Sequence, residues 1–465
     1  MRFLIVPVLA LVSAAAALAA DTPPPPTPWP TTPAASLSAP VYVLSGGGYG
    51  HGVGLSQYGA FGQAQANRGY RDILAFYYPG TTIGTAPGST VRVLVADARP
   101  AVRVSSGVPF AVRDGLGVVT PLPAGDLVLK PDLAIVVGGQ TKVLPAPLAF
   151  VPGKGSPLLL DGKGYRGELQ ATVVPKGLKT ALQVIDVVAL DAYLLGVVPG
   201  EMPKNWPVAA LQAQAVAARS YALASIVKNK PFDLYPDQRS QMYYGVGWES
   251  PATTAAVKAT RGEILTYGGK VATTYYYSSS GGRTASSEDV FGVITPYLQS
   301  RADPWDALSP YHRWTPRTFT AASLGRAFGL PSPVVDIETV PTLSGRPASV
   351  TLVEKSGVRI LLRAADVRAR LGLRSTAFRL GVMRVAPPPA VTGAGSPVVV
   401  SGLARDVQAP LLEKLGANGV WLPSVKVAPA DDGSFAVTVQ PLTTATYRLS
   451  AEGLAGPAVT ITVPA

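Results

Sequence analysis

The chain has 465 residues, with 40 Lys plus Arg against 28 Asp plus Glu and no cysteine. That length allows two or three domains with sizeable cores, and the missing thiols exclude disulfides and thiolate metal sites. The formal charge of +12 is spread along the chain without a basic run, which argues against nucleic-acid binding and for attraction to an anionic envelope.

Residues 1–20, MRFLIVPVLALVSAAAALAA, pair a basic start with a short apolar run and small residues at Ala17 and Ala19. This is the pattern of a cleaved secretory signal, too short and Ala-rich for a membrane span. Its removal takes Arg2 and leaves +11, and the expectation is an extracytoplasmic chain without stable membrane insertion. Residues 21–40 form a Pro-rich, extended linker that cannot build a core.

From Ser45 to Gly54 runs a Gly-rich loop carrying His51, followed by a helix from about Gln57 to Gly69 and a short one into Tyr77. Residues 90–190 alternate Val- and Leu-rich runs with Gly and Pro breaks, which predicts a β-rich region. The clearest helix follows Pro207 and runs to about Ile226, rich in alanine and other good helix formers. A missing N–H costs nothing in a first helical turn, so Pro207 belongs there, with Asn205 or Trp206 at the cap. A hairpin about Gly268–Gly269 and a strand into Ser278–Gly282 come next, then a hairpin and helix over 349–373.

Residues 386–397, APPPAVTGAGSP, read as a second linker. Beyond it, residues 398–465 hold short strands split by turn residues, which predicts a small all-β immunoglobulin-like sandwich. It lacks clustered acids, bases or metal ligands, so it reads as a docking or spacing module. The overall class is α+β: a mixed domain over 41–385 and a β-sandwich.

One carboxylate stands out. Glu201 lies in VVPGEMPKNWP, read as a tight turn at the mouth of the Ala-rich helix, with Gly200 supplying backbone freedom and Pro199 and Pro203 stiffening the flanks. Val197, Val198, Met202 and Trp206 surround it with apolar bulk. Such a site raises a carboxyl pKa, as a general acid near neutral pH requires. The alternative is an acid that merely decorates a helix entrance, where the dipole favours it.

The string YLLGVVPGEMPKNWPVAALQAQAVAARSYAL, residues 193–223, resembles the SpoIID/LytB family of bacterial cell-wall proteins. Residues 275–306, with SSSGGRT and PYLQSRADPWD, resemble a second block of that family. GYGHGVGLSQYGA at 48–60 and FYYPGT at 76–81 resemble a third. With the sequence joining them, the blocks cover about residues 41–385. In the sporulation branch the His/Gln block stands near the carboxyl end of the domain, whereas here it stands near the amino end. Because domain termini often lie close together, a permuted connection is expected to bring it to the same place.

The resemblance implies a secreted, cell-wall-associated protein acting on peptidoglycan glycan strands as a lytic transglycosylase. In that chemistry one carboxylic acid protonates the glycosidic oxygen between N-acetylmuramic acid and N-acetylglucosamine. The carboxylate then takes a proton from the muramoyl C6 hydroxyl, which closes on C1 as a 1,6-anhydro ring. No water is activated, unlike in ordinary two-carboxylate glycosidases. Glu201 matches the family's catalytic glutamate.

The resemblance also implies substrate contacts from His51, Ser56, Gln57 and Tyr58, from Arg219 and Tyr221, and from Ser279, Ser280, Gly281 and Gly282. Arg219 is a candidate for the muramoyl lactate, or else a buried structural arginine. His312 is expected to pack beside Trp305 and Trp314. Hydrolysis would need a second acid, for which Asp186, Asp191, Glu288, Asp289, Asp303 and Asp306 are candidates. Some relatives carry a His, described with a metal, where this chain has Tyr277; no metal and no cofactor is expected here. The rival functions are a non-catalytic enhancer of a wall N-acetylmuramoyl-L-alanine amidase and a plain wall-binding protein.

Overall fold

The computed structural model describes residues 37–388 and 391–464. The signal segment and most of the Pro-rich linker therefore lie outside the described residues.

Strand Val41–Gly46 sits inside a five-stranded sheet, between Arg317–Thr320 and Phe378–Val385. Its alternation serves two cores. Val43 faces Met383, Val385, Leu412 and Phe435 on one side, while Tyr42 and Leu44 face Leu324, Val350 and Val367 on the other. Phe378–Val385 also pairs with Val398–Arg405, Val382 opposite Arg405. Residues 386–397, read above as a linker between domains, therefore join two neighbouring strands of one sheet.

The strands beyond residue 397 divide between two sheets. Val398–Arg405 and Ser434–Val439 extend the five-stranded sheet, and the rest form a four-stranded one. The strands of 398–465, expected to form a self-contained sandwich, thus share their core with strands from outside that range, Val43, Met383 and Val385 supplying part of it.

Residues 90–190 are β-rich, as the Val and Leu runs predict. A six-stranded antiparallel sheet carries the long strands Thr90–Arg99, Glu168–Lys176 and Lys179–Ala189, and a four-stranded sheet carries Val102–Ser106 and Leu158–Leu160. Together with the predicted helices and strands elsewhere, this makes the class α+β.

Four helices position the site: α1 (Gln57–Gln65), α2 (Tyr70–Tyr77), α3 (Leu190–Glu201) and α4 (Val208–Ala224). Strand Lys179–Ala189 runs directly into α3, which buries Tyr193, Leu194, Val197 and Val198. Helix α4 is covered on nearly all sides, its small residues Ala210, Ala213, Ala217 and Ala218 letting neighbours approach closely. The hairpin joining Glu263–Tyr267 to Lys270–Val271 turns on Gly268 and Gly269, both at positive φ, as a two-residue turn of this hand requires.

Two local readings are corrected. Glu201 ends helix α3 rather than lying in a tight turn, with Pro199 inside the helix. Pro207 stands at the cap of α4, one position before the predicted one.

Candidate active site at Glu201

Helix α3 has glycines four residues apart, at 196 and 200, so both lie on one face. A Cβ at Gly196 would sit 2.7 Å from the Tyr243 ring, and one at Gly200 would sit 2.8 Å from the Met242 carbonyl oxygen. The bare face lets the 241–245 segment lie against the helix. Gly200 therefore serves close approach, not the turn conformation expected of it; its φ is not positive. The consequence reaches Glu201: Met242 N–H donates to its Oε1 at 2.7 Å.

Two side chains complete the carboxylate's shell. Tyr276 O–H donates to Oε1 at 3.2 Å, and Gln57 Nε2 donates to Oε2 at 3.3 Å. Behind Tyr276 stands buried Gln241, whose Nε2 donates to the Tyr276 hydroxyl at 2.9 Å and whose Oε1 accepts from Tyr193 at 3.0 Å. Burial pushes the Glu201 carboxyl above its usual range, against the Met242, Tyr276 and Gln57 hydrogen bonds that pull it down. Oε1 already takes two donors, so a proton belongs on Oε2.

Glu201 opens on a cavity of about 300 Å³ whose wall includes His51, Tyr221, Arg239, Tyr275 and Phe291. Among the described residues lining it, Glu201 is the only carboxylate and Arg239 the only cation. Arg239 is held by Asp237 at 2.6 Å and lies over the Tyr235 ring.

His51 lines the cavity with its ring, but both nitrogens are committed. Nδ1 accepts from Val53 N–H at 3.1 Å, so the proton lies on Nε2, which faces the Tyr276 carbonyl at 3.0 Å. Burial pushes its pKa down to about 4, so the ring is neutral at physiological pH. Gly48, Gly50, Gly52 and Gly54 around it all have positive φ. A Cβ at Gly54 would fall 2.1 Å from the Tyr275 carbonyl oxygen. This alternation presses the loop onto residues 275–280, where Tyr49 pairs with Ser279. The loops at 45–60 and 278–283 thus meet, and the early His/Gln block reaches Glu201.

Several expected sugar contacts point elsewhere. Asp306 is fully buried and collects five donors. Ser56 Oγ and Ser280 N–H reach Oδ1 at 2.9 Å; Ser279 Oγ and Gly281 N–H reach Oδ2 at 2.9 Å; His312 Nδ1 reaches Oδ2 at 3.1 Å. Ser56 also caps α1. Gly282 N–H turns to Ser280 Oγ at 3.1 Å. The Ser/Gly loop therefore spends its donors on a buried carboxylate, which must be satisfied once desolvated. His312, expected to pack beside Trp305 and Trp314, is a partner of that carboxylate.

Arg219 follows the structural alternative and not the muramoyl-lactate one. It is fully buried and bonded to Asp191 at 2.8 Å and to the Glu263 carbonyl at 2.9 Å, away from the cavity. Tyr221, two residues on, does line the cavity. Tyr58 sits beside Trp206, ring centroids 5.0 Å apart, next to Gln57. None of the six acids considered as partners of Glu201 lines its cavity. Asp186 bonds Tyr243, Asp191 pairs with Arg219, Asp289 accepts from Ser344, and Asp303 accepts from Tyr77.

Sequence reasoning missed Met242, Tyr276, Gln241 and Arg239. The one available signal was the spacing of Gly196 and Gly200, which marks a helix face prepared for close backbone contact.

Residues 178–267 match the SpoIID family model, described as Stage II sporulation protein. The chain is 33% identical over 220 residues to Stage II sporulation protein D of Bacillus subtilis (strain 168), covering 43% of this chain and 62% of that one. It is 41% identical over 142 residues to an uncharacterized protein of Brachyspira hyodysenteriae, covering 30% and 38% respectively. It is 38% identical over 123 residues to the amidase enhancer of Bacillus subtilis (strain 168), covering 26% and 16%. The chain thus spans less than two thirds of the length of each of these relatives. The family-model match over residues 178–267, which contains Glu201, and the similarities to both named branches support a protein of the SpoIID/LytB family.

Proposed function

We propose that this chain is a secreted, wall-associated lytic transglycosylase that cleaves peptidoglycan glycan strands with Glu201 as its single acid and base. The observation that carries the reading is a partly buried carboxyl, held by three donors, that is the only acid among the described residues lining its cavity. Burial favours the protonated acid, which gives its proton from Oε2 to the glycosidic oxygen as the bond to muramoyl C1 breaks. Met242 N–H, Tyr276 O–H and Gln57 N–H then stabilise the carboxylate left behind. That carboxylate takes the proton of the C6 hydroxyl, whose oxygen bonds to C1, and the acid is regenerated. No second carboxylate is required, because no water is activated. Residues 398–465 are read with it as an immunoglobulin-like docking or spacing module.

The test is mass spectrometry of glycan digests with the wild type and Glu201→Gln. Wild-type digests should carry 1,6-anhydromuramoyl ends, and the variant should lose them while keeping its thermal melt. Undiminished product from the variant, or wild-type ends formed with uptake of water, sinks the mechanism. Similarity to an amidase enhancer supports a second reading, a non-catalytic modulator of a wall amidase. In that case no glycan fragments are released, and Glu201→Gln leaves stimulation of the amidase unchanged.

A further inference from the structure

A larger cavity, of about 770 Å³, lies on the other side of the Gly-rich loop, where residues 45–47 and 280–283 face residues 377–379 and 406–409. Its walls carry the exposed arginines Arg283, Arg313 and Arg379. None of these makes an ion pair within 4.0 Å among the described residues. The Arg283 guanidinium has a long 3.5 Å contact to Ser300, and the Arg379 guanidinium donates to the side-chain oxygen of Gln408 at 3.2 Å, a neutral partner that leaves its charge unbalanced.

Beneath them Arg346 is 4% exposed, its guanidinium bonded to Thr376 Oγ1 at 3.2 Å and to the Arg283 carbonyl at 3.3 Å. It adds positive charge from below without offering a contact. Two carboxylates, Asp406 and Glu452, stand on the wall, and Glu452 already accepts from Ser45 Oγ and Gln408 N–H at 3.2 Å each. Trp314 supplies a flat, half-buried ring. It packs over Gly46, where a Cβ would fall 2.7 Å from the ring, and its Nε1 is tied to the Gly48 carbonyl at 3.0 Å.

Unpaired guanidinium groups around a concave wall recognise carboxylate or phosphate by paired N–H donors. A fixed indole offers the apolar face on which a sugar ring lies. We propose that this cavity binds an acidic glycan, a sugar chain bearing carboxylate groups, at a site separate from Glu201. The Gly-rich loop then touches two ligand sites, with His51 at one cavity and Gly46 and Gly47 at the other. The proposal does not depend on catalysis at Glu201.

Titration calorimetry on the full chain tests it, with trigalacturonate, chitotriose and inorganic triphosphate as probes. Trigalacturonate should bind saturably and weaken with added salt. Binding should fall about ten- to a hundredfold in Arg283→Ala/Arg313→Ala/Arg379→Ala, since exposed ion pairs contribute modestly but jointly. Chitotriose affinity should be equal in the wild type and that variant. Arg313→Glu, a single exposed change, should weaken trigalacturonate in the same direction and guards against misfolding of the triple variant. Equal trigalacturonate binding by wild type and Arg313→Glu, or no binding at all, overturns the proposal. Binding of triphosphate without trigalacturonate also overturns it, in favour of a small phosphate compound.

Discussion

Gln57 Nε2 donates to Glu201 Oε2 at 3.3 Å across 144 residues of chain. This contact joins the start of helix α1 to the end of helix α3, and it carries the early His/Gln block to the acid. It also marks the oxygen that holds the transferable proton, because the other oxygen is occupied by Met242 and Tyr276.

Tyr276→Phe removes one donor from the Glu201 carboxylate and leaves Gln241 Nε2 with the Ala218 carbonyl alone. Loss of a hydrogen bond to the charged form raises the carboxyl pKa further. The acid form performs the first step, so the descending limb of the pH–rate profile should move to higher pH. The rate at the optimum should fall by about tenfold or more as the carboxylate of the second step loses support. A profile that coincides with the wild type refutes the tyrosine's role.

Asp306→Asn should destabilise the fold by about 3 kcal/mol or more, because hydrogen bonds to a buried charge are among the strong ones. Five donors converge on that carboxylate, and an amide presents its own N–H pair to at least two of them. Urea unfolding measures the change. A loss under about 1 kcal/mol is incompatible with Asp306 as the anchor of the Ser/Gly loop.

Burial pushes Asp303 up to about 7 and Asp186 likewise to about 7. Between the ordinary carboxyl range and 7 the folded chain holds more protons than the unfolded one. Stability from these groups is therefore present at low pH, falls as pH rises through that window, and levels off above it. Each removes up to about 1.4 kcal/mol per pH unit there. Asp303→Asn keeps the acceptor for Tyr77 but not the ionisation, so its advantage over wild type should grow from pH 5 to pH 7.5 in urea unfolding. A constant difference across that range contradicts the assignment.

Much of the architecture was legible from local pattern. The Ala-rich run announced α4, and Gly268–Gly269 announced its hairpin. The Val and Leu runs of 90–190 announced strands, because these signals depend on neighbours within a few residues. Glu201 was also legible, since Val197, Val198 and Met202 beside an acid foretell a desolvated carboxyl. The directions of side chains were not. Arg219 and Tyr221 lie two apart on one helix, yet one is sealed against Asp191 and the other lines the cavity.

The amino-acid sequence by itself determined the helices and the hairpins, through periodicity and chain stiffness, and its resemblance to a known family singled out Glu201. Only the tertiary structure decided which polar groups meet that acid. Met242, Tyr276 and Gln57 reach it because a glycine face, a strand and a distant helix converge there. Ser56, Ser279 and Ser280 are drawn instead to Asp306, since a buried charge takes the nearest donors whatever their place in the chain.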